Sequence, residues 1–150
     1  MTPASEDDGS ARFVAAVEVF IFRAGRVLAM RRARDSEAAA GAWDALSGRV
    51  RSGEQPLDAA RREVREESGL EVRIDPRPVA SYVAKRIADD MMVVAYRAES
   101  DAGEIILSRE HDEYAWMTVA EFAAACPFPL LVAAARMALQ SRGASAVARD

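Results

Sequence analysis

The sequence is poor in cysteine and has no long apolar segment. It contains a single cysteine, Cys126, which excludes an internal disulfide framework and is typical of a protein in a reducing cytoplasm. The first ten residues, MTPASEDDGS, are acidic and polar and do not resemble a signal peptide. No apolar run approaches the length that spans a bilayer. We therefore expect a cytoplasmic protein with no membrane partner.

The chain also lacks an excess of positive charge. Its 20 lysine and arginine residues are outnumbered by 24 aspartate and glutamate residues, which gives a net charge of −4. Stable nucleic-acid complexes need a basic surface that neutralises phosphates, so we expect none here. Apolar residues make up 51% of the 150 residues, which is normal for a soluble protein and sufficient for one domain with a buried core.

The order of the predicted elements indicates a mixed α/β or α+β domain. Pro56 suits the first position of a helix and Gly69 the position just past its end, so a helix is predicted at 56–68. Two more helices are predicted at 118–126, where Thr118 would cap the first turn, and at 129–142. Segments rich in β-branched and aromatic residues predict strands at 12–23, 26–32, 43–50, 78–86, 91–99 and 113–117. We expect disordered tails at 1–11 and 143–150 around one domain at 12–142.

The predicted helix at 56–68 carries two neighbouring stripes of side chains. At 100° per residue, the apolar stripe contains Leu57, Ala60 and Val64, and the acidic stripe contains Glu63, Glu66 and Glu67. Carboxylates at these spacings repel one another by roughly 0.2–0.5 kcal/mol per pair, which neighbouring arginines could offset. The acidic stripe is therefore either a solvated, salt-bridged face or a site for a hard cation such as Mg²⁺, which prefers oxygen ligands.

The residue order around the helix favours the metal site. Residues 48–70 read GRVRSGEQPLDAARREVREESGL, which is G-x5-E-x7-R-E-U-x-E-E-x-G-U with U aliphatic. This stretch resembles the Nudix box, with every fixed position filled. RVLAMRR followed by Trp43, upstream of the box, and EHDEYAWMTVAEF downstream of it are also similar to Nudix segments. One departure is Arg49, because many members of the family carry a second glycine after Gly48.

The resemblance implies a fold and an activity. It implies an α/β/α sandwich around a mixed β-sheet that hydrolyses the diphosphate linkage of a nucleoside diphosphate linked to another group. It also implies Mg²⁺ or Mn²⁺ as cofactor, a small nucleotide as the partner, and a homodimer. The alternative is a non-catalytic Nudix-fold module that binds or senses a nucleotide. The intact acidic stripe argues against this alternative, because a module freed from catalysis does not need three clustered acids.

Carried over position by position, the resemblance also implies roles for individual residues. Glu54 and Arg62 would orient the catalytic helix and loop through a charge-assisted hydrogen bond. The general base is left open among Glu63, Glu110 and Glu113, since members of the family differ in this residue. The metal ligands would be the carbonyl of Gly48 and the carboxylates of Glu63, Glu66 and Glu67.

Three residues outside the box are further candidates. Arg31 and Arg32 end a predicted strand near the expected pocket, and because side chains alternate along a strand, one of the two should point inward to contact phosphates. His111, the one histidine of the chain, could transfer a proton, although a single histidine in a charged loop is more often exposed.

Overall fold

A computed structural model describes residues 7–86 and 88–141 of the chain. The tail predicted at 143–150, and residues 1–6 of the tail predicted at 1–11, lie outside these ranges, so their disorder stays a prediction. None of the helices in the described ranges is long and apolar enough to cross a membrane.

One mixed sheet of eight strands forms the centre of the described chain. The strands are β1 (Val14–Arg23), β2 (Arg26–Arg32), β3 (Trp43–Asp44), β4 (Leu46–Arg49), β5 (Arg73–Ile74), β6 (Ala80–Arg86), β7 (Asp89–Glu99) and β8 (His111–Met117). Strand β1 is central, running parallel to β7 on one side and antiparallel to β2 and β4 on the other. Strand β4 lies beside the first half of β1, with Gly48 opposite Val17. This register places Gly48, the first residue of the predicted box, beside the central strand.

Three helices cover the two faces of this sheet. They are α1 (Pro56–Ser68), α2 (Val119–Ala125) and α3 (Pro129–Gln140). Side chains alternate along β1, so Val17, Val19 and Ile21 join a core with the buried face of α1. Phe20 and Phe22 join a second core with α2 and α3 on the opposite face. The predicted α/β/α sandwich around a mixed sheet is therefore confirmed.

The structure refines several predicted boundaries. The segment predicted as one strand at 43–50 is two short strands separated by Ala45, and the two-residue strand β5 was not predicted. Helix α1 spans the predicted residues, and α2 begins after the predicted cap, because the Thr118 hydroxyl accepts a hydrogen bond from the Glu121 N–H at 3.1 Å. Helix α3 ends at Gln140, and Arg97 donates hydrogen bonds to the carbonyl of Ala138 in its last turn and to the carbonyl of Ser141, which follows the helix.

Candidate active site

Helix α1 presents its acidic stripe at the edge of a buried face. The predicted apolar stripe is confirmed, since Ala60 and Val64 are fully buried against the sheet. The helix ends where Gly69 adopts a left-handed conformation, with φ of 70°, that a side chain would strain. Glu63 and Glu67, one turn apart, are buried as well, whereas Glu66 is exposed. Two of the three predicted metal carboxylates therefore point into the protein, and the third lies at the rim.

Gly48 is required by the close approach of β4 to α1. A Cβ atom at this position would overlap Cγ, Cδ and Oε1 of Glu63. The backbone of Gly48 has no positive φ, so the reason for a glycine here is space. The carboxyl group of Glu63 consequently lies directly against the strand whose carbonyl was predicted to be a metal ligand.

Arg62 connects the helix to the loop before it. Its guanidinium donates to both oxygens of Glu54, at 2.8 and 2.9 Å, and to the carbonyl of Arg49 at 2.9 Å. Its remaining Nη1 donors reach Glu63 Oε1 at 2.6 Å and Glu66 Oε2 at 3.2 Å, so all five guanidinium N–H groups have acceptors. The contact with Glu54 that the sequence led us to expect is present, and it holds the pKa of Glu54 down to about 2. Arg62 thereby holds the loop at residues 50–55, between β4 and α1, against α1.

The buried end of the acidic stripe is crowded with carboxyl groups. Burial is the main cause that raises the pKa of Glu67 to about 10. The second cause is the carboxyl group of Glu110, which lies within hydrogen-bonding reach of Glu67. Burial also raises the pKa of Glu63, against the opposing effect of Arg62. Glu110 comes from the loop before β8. The fold thus brings one of the predicted general-base candidates to the acidic stripe.

The side chains at this point fit a divalent cation by chemistry. Glu67 Oε2 is buried and has no hydrogen-bond partner in the described part of the chain, and carboxylates are the ligands that Mg²⁺ and Mn²⁺ prefer. Within residues 7–86 and 88–141, no group of three or more acidic, histidine or cysteine side chains is already arranged to hold an ion. Arg62 engages one oxygen of Glu63 and one of Glu66.

Two cavities meet at strand β4. The first, which we call the apolar cavity, has a volume of about 620 Å³ and is lined by residues of β1, β6, β7 and the start of α3, among them Val93 and Leu131. The second, the charged cavity, has a volume of about 610 Å³ and contains Glu63, Glu67 and Glu110. Five arginines also line the charged cavity: Arg32, Arg49, Arg51, Arg62 and Arg109. Ser47 and Gly48 border both cavities, so one elongated ligand could occupy both.

The two strand arginines have different surroundings. Arg32 lines both cavities, as the substrate-binding prediction requires. Arg31 lines neither cavity, and its guanidinium is held by Asp112 and Glu113 at 2.8 Å each. The substrate-binding role predicted for Arg31 is therefore not supported, because alternation along β2 turns this side chain away. Glu113 pairs with Arg31 and lines neither cavity, so of the two loop candidates for the base only Glu110 reaches the acidic stripe.

A buried charged cluster in the walls of the two cavities could not be predicted from the sequence. Asp44 lies 2.6 Å from Arg32 Nε and 3.2 Å from His111 Nε2. The Arg32 N–H does not point along this line, so the contact is an ion pair without an aligned hydrogen bond. His111 is only 7% exposed, and the expectation of an exposed histidine is therefore wrong. The one available signal was an aspartate within the short apolar segment WDAL, since a charge is rarely buried without a partner.

A second buried acid, Glu18, lies at the wall of the apolar cavity. It occupies the middle of β1, between apolar neighbours, and is 2% exposed. The hydroxyl of Tyr82 on β6 donates a hydrogen bond to Glu18 Oε2 at 2.9 Å. Burial raises the pKa of Glu18 to about 8, although the hydrogen bond opposes this. A single carboxylate inside an otherwise apolar strand was the signal in the sequence.

Comparisons with known proteins agree with this geometry. A family model described as the NUDIX domain matches residues 12–137. A Mycobacterium tuberculosis protein named putative 8-oxo-dGTP diphosphatase 2 is 36% identical over 107 residues, which are 67% of this chain and 70% of that protein. A Myxococcus xanthus protein named octanoyltransferase is 33% identical over 108 residues; these are 69% of this chain and only 29% of the relative's length.

A solved structure shares the fold. The crystal structure of a MutT protein from Methanosarcina mazei Go1 superposes with a TM-score of 0.76 at 23% identity, over 83% of this chain and 92% of that one. Together with the family match over most of the chain, the α/β/α sandwich and the filled box on α1, this leads to one conclusion: the chain belongs to the Nudix family and is a Nudix hydrolase.

Proposed function

We propose that this Nudix hydrolase cleaves the diphosphate linkage of a nucleoside diphosphate linked to another group, with Mg²⁺ or Mn²⁺ as cofactor. The observation that carries the proposal is the junction of the two cavities at Gly48, where a mostly apolar cavity meets one lined by arginines and buried acids. A nucleotide has the matching shape, with an apolar heterocycle at one end and phosphates at the other. The relative named as an 8-oxo-dGTP diphosphatase supports the same class of substrate.

The arginines of the charged cavity would bind and orient the phosphates. Arg49 ends β4 and Arg51 lies on the loop between β4 and α1, both close to the acidic stripe, and Arg109 lies on the loop that carries Glu110. Guanidinium groups form strong charge-assisted hydrogen bonds to phosphate oxygens, and one guanidinium often donates two such bonds to the same phosphate. Arg32 has a divided role, because its Nε faces Asp44. We expect Arg32 to hold Asp44 in place through this ion pair as well as to contact the substrate.

The acidic stripe would hold the cation. In this proposal the buried carboxylates of Glu63 and Glu67 and the exposed carboxylate of Glu66 are ligands. The carbonyl of Gly48 is the fourth ligand. The bound cation would neutralise charge on the diphosphate and lower the pKa of a water molecule. Within the chain itself, Arg62 keeps Glu63 in place through the hydrogen bond at 2.6 Å. Glu63 and Glu110 remain the candidates that could take a proton from the attacking water, because both line the charged cavity.

The proposal is tested with a substrate panel and one matched pair of variants. Wild type, Glu67→Gln and Glu71→Gln are assayed for phosphate and nucleotide release from 8-oxo-dGTP, ordinary nucleoside triphosphates, nucleotide sugars, dinucleoside polyphosphates and pterin triphosphate. Each assay is run with Mg²⁺, with Mn²⁺ and with a chelator. Glu71 is the control because it is exposed and lies just beyond the end of α1. We expect metal-dependent turnover that falls on the order of 10²-fold in Glu67→Gln and stays unchanged in Glu71→Gln.

Two other outcomes would count against the proposal. Turnover that survives both the chelator and Glu67→Gln would exclude the acidic stripe as the metal site. Nucleotide binding without turnover anywhere on the panel would favour the non-catalytic binding module instead. The homodimer and the cytoplasmic location expected from the sequence also stay predictions, and light scattering on the purified protein tests the first of them.

A further inference from the structure

The carboxyl group of Glu18 has one satisfied oxygen and one unsatisfied oxygen. Oε2 accepts the hydrogen bond from the Tyr82 hydroxyl at 2.9 Å. Oε1 is buried and has no hydrogen-bond partner among residues 7–86 and 88–141. Buried polar atoms in native proteins are nearly always hydrogen-bonded, because a lost partner in the interior is costly. An unpaired carboxyl oxygen in the middle of the central strand therefore requires an explanation.

The position of Glu18 indicates that a ligand supplies the missing partner. Glu18 and Tyr82 both line the apolar cavity, whose remaining walls include Val93, Phe128 and Leu131. Ligand sites are typically apolar pockets in which a small number of polar groups fix the orientation of the ligand. Glu18 is the carboxyl group that β1 contributes to this cavity, and β1 is paired with β2, β4 and β7, so the group is held on a rigid support.

The direction of a bound substrate follows from the two cavities. Phosphates would lie in the charged cavity, beyond the shared border at Ser47 and Gly48. The other end of the same molecule would then extend into the apolar cavity, towards Glu18. The edges of nitrogen heterocycles carry ring N–H, ring nitrogen, amino or carbonyl groups, which are the partners that a carboxyl oxygen lacks. The apolar walls suit the two faces of such a ring, and Phe128 provides an aromatic surface.

We propose that Glu18, held by Tyr82, determines which base is accepted, through a hydrogen bond between Oε1 and the edge of the substrate's nitrogen heterocycle. This inference rests on the proposed function for the direction in which the substrate lies. Burial raises the pKa of Glu18 to about 8, so the neutral carboxyl group is available near neutral pH. With Tyr82 donating to Oε2, the proton lies on Oε1, from which it can be donated to a ring carbonyl or ring nitrogen.

The test compares substrates that differ only in the base. Wild type, Glu18→Met and Glu18→Gln are assayed on a series of nucleoside triphosphates and on ribose 5-triphosphate, which has no base. The measured quantity is the ratio of kcat/KM with a base to kcat/KM without one. We expect Glu18→Met to lower this ratio by about 10- to 100-fold for the preferred base, mainly through KM, because a buried hydrogen bond to the substrate is lost. Glu18→Gln keeps an acceptor for the Tyr82 hydroxyl and a donor for the base, as the neutral carboxyl group does, so it should keep the preferred base while the protein stays folded.

Tyrosine variants provide the matched control. Tyr82→Phe removes the hydroxyl that orients Glu18 and should lower the same ratio by a smaller factor. Tyr96→Phe removes the hydroxyl of another buried tyrosine, which belongs to the core on the α1 face and does not line the apolar cavity, and should leave the ratio unchanged. Equal ratios in folded wild type, Glu18→Met and Glu18→Gln would overturn the proposal, because Glu18 would then be a structural residue only.

Binding of free nucleosides separates this inference from the proposed function. If wild type hydrolyses nothing on the panel, calorimetry with nucleosides in the absence of metal still tests the apolar cavity. Nucleoside binding that is lost in Glu18→Met would support the role of Glu18 even though the hydrolytic function had failed. A wild-type protein that bound no nucleoside and showed no base preference would overturn it.

Discussion

The contact between Gly48 and Glu63 leads to a sharp prediction for Gly48→Ala. The added Cβ would overlap Cγ, Cδ and Oε1 of Glu63, whereas non-bonded carbon atoms prefer separations of about 3.5–4.0 Å. The carboxyl group must therefore move by roughly 1 Å or more, and this movement breaks its 2.6 Å hydrogen bond with Arg62. Overpacking of this kind costs about 1–3 kcal/mol of folding free energy. Displacement of a catalytic group by about 1 Å lowers the rate on the order of 10²-fold.

The assay combines denaturant unfolding with steady-state kinetics at saturating Mg²⁺. Gly25→Ala is the matched control, because Gly25 lies in the β1–β2 hairpin with φ of 77° and an added Cβ there meets no atom within 4 Å. Its left-handed conformation should cost about 1–2 kcal/mol of stability, with no effect on activity. The two variants thus lose similar stability, and only Gly48→Ala should lose turnover.

A double-mutant cycle locates the cause. In a Glu63→Ala background the three atoms nearest to the new Cβ are removed, so Gly48→Ala should then cost much less stability. A clash with Glu63 would be refuted as the cause if Gly48→Ala kept wild-type activity, or if its stability cost were the same with and without the Glu63 side chain. Either result would mean that β4 moves away from α1 without disturbing the acidic stripe.

Three further predictions follow from the ion pairs and buried acids. Arg62→Lys should lower kcat about 10- to 100-fold while the fold is retained, because a lysine cannot make the two-point contact with Glu54. Steady-state kinetics and a thermal melt test this, and a folded, fully active variant would contradict it. Glu18 has a folded pKa of about 8 against 4.5 unfolded, so its stabilising contribution is complete below pH 4.5 and is lost as the pH rises to about 8. The free energy of unfolding of wild type should therefore fall relative to Glu18→Gln by roughly a few kcal/mol over this range, and parallel pH profiles would contradict the assignment. Arg97→Met should lower the free energy of unfolding by about 1–3 kcal/mol, because Arg97 donates to the carbonyls of Ala138 and Ser141 at the end of α3 and its Cζ lies 4.2 Å from the centre of the Phe22 ring. A melting temperature equal to wild type would exclude this.

Local patterns account for the parts that could be predicted. The boundaries of α1 follow from Pro56 and Gly69, and the strands from runs of β-branched residues, because these preferences act within a few residues of the chain. The boundaries that were missed are those that depend on pairing: β4 is separate from β3 because it pairs with β1, while β3 pairs with β2. Strand β5 has only two residues, too few for any periodic signal.

The residues of the candidate site also fall into two groups, those that could be predicted from a local pattern and those that could not. By itself, the sequence determined the acidic stripe on α1, because its three glutamates lie on one helix. The resemblance of residues 48–70 to the Nudix box implied the pairing of Glu54 with Arg62, because both residues occupy fixed positions of one continuous segment. Only the tertiary structure decided which residues from other segments join them. Glu110 reaches Glu67, Arg32 lines the cavities while Arg31 turns away, and Asp44, His111 and Glu18 are buried. These outcomes depend on strand register and on the direction of each side chain across a sheet, where a shift of one residue reverses the face, and no local pattern specifies them.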